Sequence, residues 1–329
     1  DFGFFDQRLS GSIDMFYKRI DGLLGYRSLK SFMEVSTVAA NVGQTQSKGV
    51  EISLKSMNFT GKFKWNTEIS FTRYLDRWLN RDTGSLKPWQ KDDDPIRAYY
   101  GYISDGILKL GETPPSYMPN LLPGQFKVRD VNGWECDDFG NPILDKNGRY
   151  KYTGKPDGVL NEADMVLLGT TDPGFSMGFG NTFSYKGFDL NIFFYGMFDR
   201  LVYNATRDKY SFFELRRVLQ GQNFLEEVND SWSSTNTNSN NPSGIVTTYP
   251  QPSSYLMEQG WFIRCKNITL GYSIPQRLLD NIKMGKIRVY AELGNPFVIT
   301  KYTGNDPETD FKAGYPNQRS YMFGLNLTF

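Results

Sequence analysis

The stretch Arg319-Ser-Tyr-Met-Phe-Gly-Leu-Asn-Leu-Thr-Phe329 alternates residue by residue between large apolar and small or polar side chains. Successive side chains of a strand point to opposite faces. One face therefore carries Tyr321, Phe323, Leu325, Leu327 and Phe329, and the other carries Met322, Gly324, Asn326 and Thr328. An apolar outward face opposite a small, polar face is typical of transmembrane barrel strands. For this strand alone, the alternative is the edge of a soluble sandwich.

The composition excludes several classes of function. The 329 residues carry a net charge of +1, so no strong field attracts nucleic acid. The chain has no histidine, which excludes Ser-His-Asp and Cys-His catalysis and most zinc sites. Cys136 and Cys265 match no metal-ligand or redox spacing. No run approaches the ~20 apolar residues of a membrane-spanning helix, so strands would have to make any membrane crossing.

Similar alternation recurs along the chain and predicts about nine strands. The predicted strands are Gly3–Arg8, Ser12–Ile20, Lys48–Met57, Phe63–Tyr74, Phe175–Tyr185, Phe188–Gly196, Glu258–Tyr272, Ile287–Leu293 and the final stretch. A polar stretch, 21–41, joins the second and third strands. Residues 80–172 and 199–257 are much longer excursions, which we expect to be folded, with the low-complexity tract Ser233–Asn241 mobile.

One predicted strand breaks the pattern. In Glu258–Tyr272, the cations Arg264 and Lys266 share a face with Ile268. Either a bulge lies near Asn267 or the cations lie at a polar rim.

Long and short links alternate along the chain, which predicts the orientation of the strands. In outer-membrane barrels the periplasmic turns are short and the external loops are long. The short links Leu9–Gly11, Asn58–Gly61, Lys186-Gly187 and Ser273–Lys286 all fall at one end of the predicted sheet. We therefore predict an all-β fold, an antiparallel transmembrane β-barrel section with long extracellular loops. Nine strands would leave two open edges, so we expect residues 1–329 to be part of a larger barrel.

Several motifs resemble those of one transporter family. They are Asn41-Val-Gly-Gln-Thr-Gln-Ser-Lys-Gly-Val-Glu51, Tyr185-Lys-Gly-Phe-Asp-Leu190, Leu270-Gly-Tyr-Ser-Ile-Pro275, Arg288-Val-Tyr-Ala-Glu-Leu-Gly-Asn-Pro-Phe297 and Thr300-Lys-Tyr-Thr-Gly-Asn-Asp-Pro-Glu308. In this order they resemble the C-terminal barrel section of SusC/RagA-type TonB-dependent outer-membrane transporters.

The resemblance implies a plugged barrel of about twenty-two strands. It also implies TonB-energised import of oligosaccharide or peptide fragments, with a SusD-like surface lipoprotein as partner. On this basis the chain would be the C-terminal section, without the plug and early strands, in the outer membrane of a Gram-negative, Bacteroidetes-like bacterium. TonB would then act through the absent N-terminal part. A transporter of this kind is not an enzyme.

Two groups of loop residues are candidates for ligand or metal contact. Trp89, Asp92, Asp93, Asp94, Tyr99, Tyr100 and Tyr102 combine aromatic faces and carboxylates that suit a glycan or peptide ligand, or they simply order a long loop. Asp130, Asn132, Asp157, Asn161 and Asp164 resemble two halves of a calcium loop, split by Trp134–Pro156. The alternative for this second group is a cluster of Asx turns that bond their own backbone.

The last strand also suggests a role in assembly. We expect Tyr321, Phe323, Leu325, Leu327 and Phe329 to be the strand read by the barrel-assembly machinery, facing outer-membrane lipid. Phe329 could instead be only another aromatic at the membrane interface. Two rival functions stay open: a secreted all-β carbohydrate-binding or hydrolytic domain, and a passive porin.

Overall fold

A computed structural model describes residues 1–29, 33–82, 86–145, 150–212, 218–243, 252–280, 285–309 and 314–328. Strands dominate these residues. They are β1 Phe2–Phe4, β2 Leu9–Ser28, β3 Thr37–Thr60, β4 Phe63–Arg81, β5 Ala98–Gly101, β6 Ser104–Ile107, β7 Phe126–Val128, β8 Val166–Thr170, β9 Phe175–Tyr185, β10 Phe188–Phe198, β11 Leu201–Tyr203, β12 Met257–Gln259, β13 Phe262–Ser273, β14 Lys286–Thr300 and β15 Ser320–Thr328. Short helices are α1 Ala205–Tyr210 and α2 Gln276–Leu279, with 3-10 turns at Glu162–Asp164, Glu226–Asp230 and Ser254–Leu256. Among the described helices, none has the length and apolar character needed to span a membrane.

Nine strands form one antiparallel sheet in the order β1-β2-β3-β4-β9-β10-β13-β14-β15. The order follows the chain, and the two long excursions interrupt it between β4 and β9 and between β10 and β13. The prediction of about nine antiparallel strands is confirmed. The remaining strands pair two by two within the excursions, as β5-β8, β6-β7 and β11-β12.

The sheet extends further at one end than the alternation predicts. β2 and β3 run to 20 and 24 residues and include most of the stretch predicted as a polar connection. Membrane crossing needs only about 9–11 residues per strand, so these ends form a ribbon beyond it. There Arg27 makes two 2.7 Å hydrogen bonds to Asp82. Both faces of such a ribbon are solvated, so its strands can pair although their sequences do not alternate between apolar and polar residues.

The apolar rows of the sheet are exposed. Exposed members include Ile13, Met15, Tyr17, Met177, Phe179, Leu270, Val289, Leu293, Tyr321, Phe323, Leu325 and Leu327. In the last strand, Phe323 is 84 % exposed while Gly324 on the opposite face is half-buried. Exposed apolar rows of this extent are unusual for a soluble surface and fit a lipid-facing band.

The opposite face of the sheet carries charged pairs. Arg288 of β14 reaches across β13 and makes hydrogen bonds of 2.9 and 2.5 Å to Asp189 of β10. The arginine passes directly over Gly271, where a Cβ would lie 2.4 Å from its Nη2 atom. A larger residue here would push the end of the Arg288 side chain away from Asp189.

Short turns and aromatic residues mark the other end of the sheet. The predicted turn at Lys186-Gly187 joins β9 and β10, and both residues lie in the left-handed region with φ of 49° and 87°. Nearby, Trp65 packs on Phe59 and Phe183 with ring centroids 5.7 Å apart in each case. Its indole Nε1 donates a 2.8 Å hydrogen bond to Asn181, which satisfies a polar atom within the apolar row.

The excursions have a small core of their own, separate from the sheet. Ile107, Phe126, Phe212 and Leu256 form a buried cluster. The tract Ser233–Asn241, predicted to be mobile, is folded: Asn236 and Ser239 bond backbone and side-chain groups around Asp230. The ammonium group of Lys109 adds hydrogen bonds to the same tract. The prediction was wrong because a distant cation and local Asx and Ser contacts replace the missing apolar packing.

Candidate functional site

A buried ion network ties one connection to the sheet. Arg264 of β13 donates hydrogen bonds of 2.7 Å to Asp306 and 3.0 Å to Glu308, while Lys266 lies 3.0 Å from Glu308. The side chains of Arg264 and Asp306 are each only 3 % exposed. The predicted bulge is present, because the register shifts between Cys265 and Asn267. Cations that break the apolar pattern of the strand thus have partners in the Asn-Asp-Pro-Glu motif.

Three consecutive carboxylates of the first excursion differ in burial, and Asp93 and Asp94 pair with groups of the protein. Asp94 is buried and accepts 2.6 Å hydrogen bonds from the backbone of Lys91 and from the hydroxyl of Tyr100. Asp93 pairs with Arg77 at 3.2 Å, and Asp92 is half-buried in the same segment. Burial, with the hydrogen bond to Asp94, raises the pKa of Tyr100 to about 12. The contacts of Asp93 and Asp94 support the alternative in which these groups order the loop.

Two of the three tyrosines of this group line a cavity. Tyr99 and Tyr100 lie on the wall of a cavity of about 270 Å³ between the sheets β5-β8 and β11-β12. Leu168, Tyr203 and Met257 complete a mostly apolar wall. Tyr102 instead bonds the backbone of residues 252 and 254, and Trp89 is half-buried.

A second cavity, of about 330 Å³, lies next to the first and shares Leu168 with it. Charged side chains line it: Arg73, Asp76, Arg77, Asp172, Asp199 and Arg200. Burial raises the pKa of Asp172, partly opposed by Arg97, which lies 3.5 Å away. Burial also lowers the pKa of Arg200.

Sequence analysis missed the charged cavity, although a signal was present. β9 and β10 form one hairpin whose register ends with Phe175 opposite Phe198. Residues just beyond the two ends of a hairpin must lie close together, so Asp172 and Arg200 could have been placed side by side. The contribution of Asp76 could not have been found in this way, since β4 is separated from β9 by the long excursion.

The split Asp/Asn loop closes, but its oxygen atoms are used by the backbone. Residues 134–152 return on themselves through bridges that pair Trp134 with Tyr152 and Leu144 with Tyr150. This brings the two halves together, and Asp164 accepts hydrogen bonds from the backbone N–H groups of residues 131, 132 and 161. Asp130 likewise accepts from residues 157 and 158, Asn132 from 154, Asp157 from 159 and Asn161 from 163.

This bonding pattern fits the Asx-turn alternative. The Asp164 carboxylate is fully buried, and burial raises its pKa despite these backbone donors. Within the part of the chain that the structure describes, no group of three or more His, Cys, Asp or Glu side chains is placed to hold a metal ion. The calcium prediction therefore gains no support from this geometry.

The predicted assembly strand is β15, with four of its five proposed residues exposed on one face: Tyr321, Phe323, Leu325 and Leu327. The fifth, Phe329, lies outside the described residues. β15 pairs with β14 over Ser320–Thr328 and ends the order of the sheet.

The sheet, its exposed apolar rows and its long connections define a section of an antiparallel transmembrane β-barrel. No protein-family model matches the chain. The chain is 28 % identical over 363 residues to TonB-dependent receptor P3 of Formosa agariphila, with 100 % of this chain and 33 % of the relative covered. It is 26 % identical over 337 residues to TonB-dependent receptor SusC of Bacteroides thetaiotaomicron, with 100 % and 31 % covered.

The fold is also similar to a solved structure of the RagAB peptide transporter. The TM-score is 0.75 at 22 % identity, with 99 % of this chain and 34 % of that chain covered. The chain thus spans about a third of the length of the curated relatives it matches. The similarity to these TonB-dependent receptors extends over the whole of this chain, which confirms the family resemblance found in the sequence.

Proposed function

We propose that the chain is the C-terminal barrel section of an active importer in the outer membrane of a Gram-negative bacterium, with its long loops extracellular. The importer takes up oligosaccharide or peptide fragments, draws energy from TonB and works with a SusD-like surface lipoprotein. The proposal rests on one observation: the sheet has exposed apolar rows that suit contact with lipid, and it has long, folded connections at one end. Relatives named as TonB-dependent receptors support it.

The two ends of the sheet differ in chemistry, and we assign a different role to each. The excursions carry cavities lined by aromatic and charged side chains, as expected of a surface that contacts a polar nutrient. The short-turn end carries the aromatic group around Trp65, as expected at a lipid interface. The sheet positions ligand-facing loops and does no bond chemistry in this proposal.

Uptake by cells tests this function. Cells carrying the full-length gene, a deletion, or the full-length gene with a protonophore added would be given labelled oligosaccharide and peptide pools. We expect fragments to accumulate only with the gene and an intact proton gradient. Affinity purification in mild detergent should also recover a lipoprotein. Equal uptake in deletion cells, or uptake that ignores the protonophore, would refute active import; the second result would favour a passive porin.

A further inference from the structure

The charged cavity contains a guanidinium group that makes no direct ion pair with a carboxylate of the described residues. Arg200 lies between β10 and β11, and its Nη1 atom is 3.2 Å from the sulfur of Met197. Its Nε atom is buried and has no hydrogen-bond acceptor among the described residues. Within the same residues, no carboxylate lies within ion-pair distance of Arg200. Glu308 and Asp172 act on this half-buried cation only at longer range. A buried N–H donor without an acceptor is costly, so such an arrangement is expected where a ligand completes the site.

The cavity also contains an unsatisfied acceptor. The Oδ1 atom of Asp76 in β4 is buried and has no donor among the described residues. Asp172 is near enough to both Asp76 and Arg200 to feel their charges. The cavity therefore offers one site that needs an anion and one that needs a hydrogen-bond donor.

The backbone leaves room for a ligand at this point. Along its edge, β4 pairs with β9 as far as Thr72, and pairing resumes at Arg77 with Pro95. The cavity lies along the interval between these two partners. Its volume of about 330 Å³ is at the lower end of the range for small-molecule sites, about 300–1,000 Å³.

We propose that this cavity binds a carboxylate group of the imported fragment at the guanidinium group of Arg200. A guanidinium group presents parallel N–H donors, which match the two oxygens of a carboxylate. A hydroxyl or N–H group next to the carboxylate donates to Asp76. A uronic acid and the C-terminus of a peptide share this chemistry. The inference rests on the proposed import function, because it assigns the ligand class of that same surface.

Binding to the purified full-length transporter tests the site with two matched pairs of probes. One pair is trigalacturonate and its methyl ester, and the other is tetra-alanine and its C-terminal amide. We expect one acid to bind about tenfold or more tightly than its blocked form, as a charge-assisted pair supplies. Arg200→Met should remove that preference and leave the affinity for the blocked form unchanged. The pair that shows the preference identifies the source of the carboxylate.

Arg129→Met is the matched control, because it removes an exposed guanidinium paired with Asp105 at 3.1 Å. Equal binding of acid and blocked forms by the unaltered protein, or equal loss in Arg129→Met and Arg200→Met, overturns the site. Should Arg200→Met fail to fold, Arg200→Lys keeps the charge without the fork and should lower the acid preference severalfold. If fragments are still taken up but neither acid binds more tightly than its blocked form, the proposed site is refuted and the import function is not. If no fragment is taken up, the import function itself is refuted.

Discussion

The buried pair between Arg264 and Asp306 gives a quantitative test of how the Asn-Asp-Pro-Glu motif acts. Asp306→Asn keeps the shape of the side chain but removes its charge and turns one acceptor into a donor. Asp306 now accepts from Arg264 at 2.7 Å and from the backbone N–H groups of Glu308 at 2.9 Å and Asn317 at 3.0 Å. The substitution therefore disturbs three hydrogen bonds at a position that is 3 % exposed.

The magnitude follows from the burial of the pair. Removing one partner of a buried ion pair costs about 3–5 kcal/mol. Arg264 keeps a 3.0 Å hydrogen bond to Glu308, so we expect the low end of this range, about 3 kcal/mol. Since about 1.4 kcal/mol corresponds to a factor of ten, local opening of the connection should become roughly 100-fold more frequent.

Hydrogen exchange of the full-length transporter in detergent measures this opening. Backbone amides of Glu308 and Asn317 should exchange roughly 100-fold faster in Asp306→Asn. The control is Asp105→Asn, whose exposed pair with Arg129 should contribute only about 0–1 kcal/mol. If the two variants change amide protection equally, the buried network does not hold the connection and the reasoning is refuted.

Three further outcomes are expected from the same structure. Gly271→Ala places a Cβ 2.4 Å from the end of the Arg288 side chain and should displace it from Asp189, which should lower the free energy of unfolding in urea by about 1 kcal/mol. Gly61→Ala, with open space around it, should change this free energy by less than about 0.5 kcal/mol, and equal losses would contradict the crossing. Phe323→Arg puts a charge on the exposed apolar row and should cost about 2–4 kcal/mol, so unchanged levels of heat-modifiable barrel in outer membranes would argue against a lipid-facing strand. Tyr100 has a pKa of about 12 in the folded protein, above its ordinary value. Its neutral form therefore stabilises the fold below pH 10, and this stabilisation is lost as the pH rises towards 12. In Tyr100→Phe, one tyrosine fewer should titrate near pH 12 when absorbance at 295 nm is followed.

The strands of the sheet were largely predictable, since their signal is local. A two-residue alternation directs successive side chains to lipid and to the interior. It predicted the turn at Lys186-Gly187 and the apolar row from Tyr321 to Leu327, and the structure has both. Where both faces are solvated the signal disappears, which explains why β2 and β3 are longer than predicted.

The candidate sites were less predictable, because they are assembled from distant segments. Tyr99 and Tyr100, predicted as ligand contacts, line a cavity, and their contact with a ligand stays a prediction. The neighbouring carboxylate of Asp94 bonds within the loop. The Asp/Asn loop has the residue types of a metal site, and only the folded backbone reveals that N–H groups occupy those oxygens. The residue types of a loop do not determine whether its oxygen atoms bind a metal ion or accept hydrogen bonds from the backbone.

The sequence by itself determined the class of fold, the number of strands in the main sheet and the family resemblance, because these depend on periodicity and on motifs within single segments. Tertiary structure alone decided the partners of the charges. In the sequence, Arg264 interrupts the alternation of a strand, and only the fold shows that it pairs with Asp306. Arg200 lies in a connection, and only the fold shows that it lines the same cavity as Asp76. The reason is physical: an ion pair or a cavity depends on distances of a few ångströms between groups that lie far apart along the chain, and only the folded arrangement of strands and connections sets those distances.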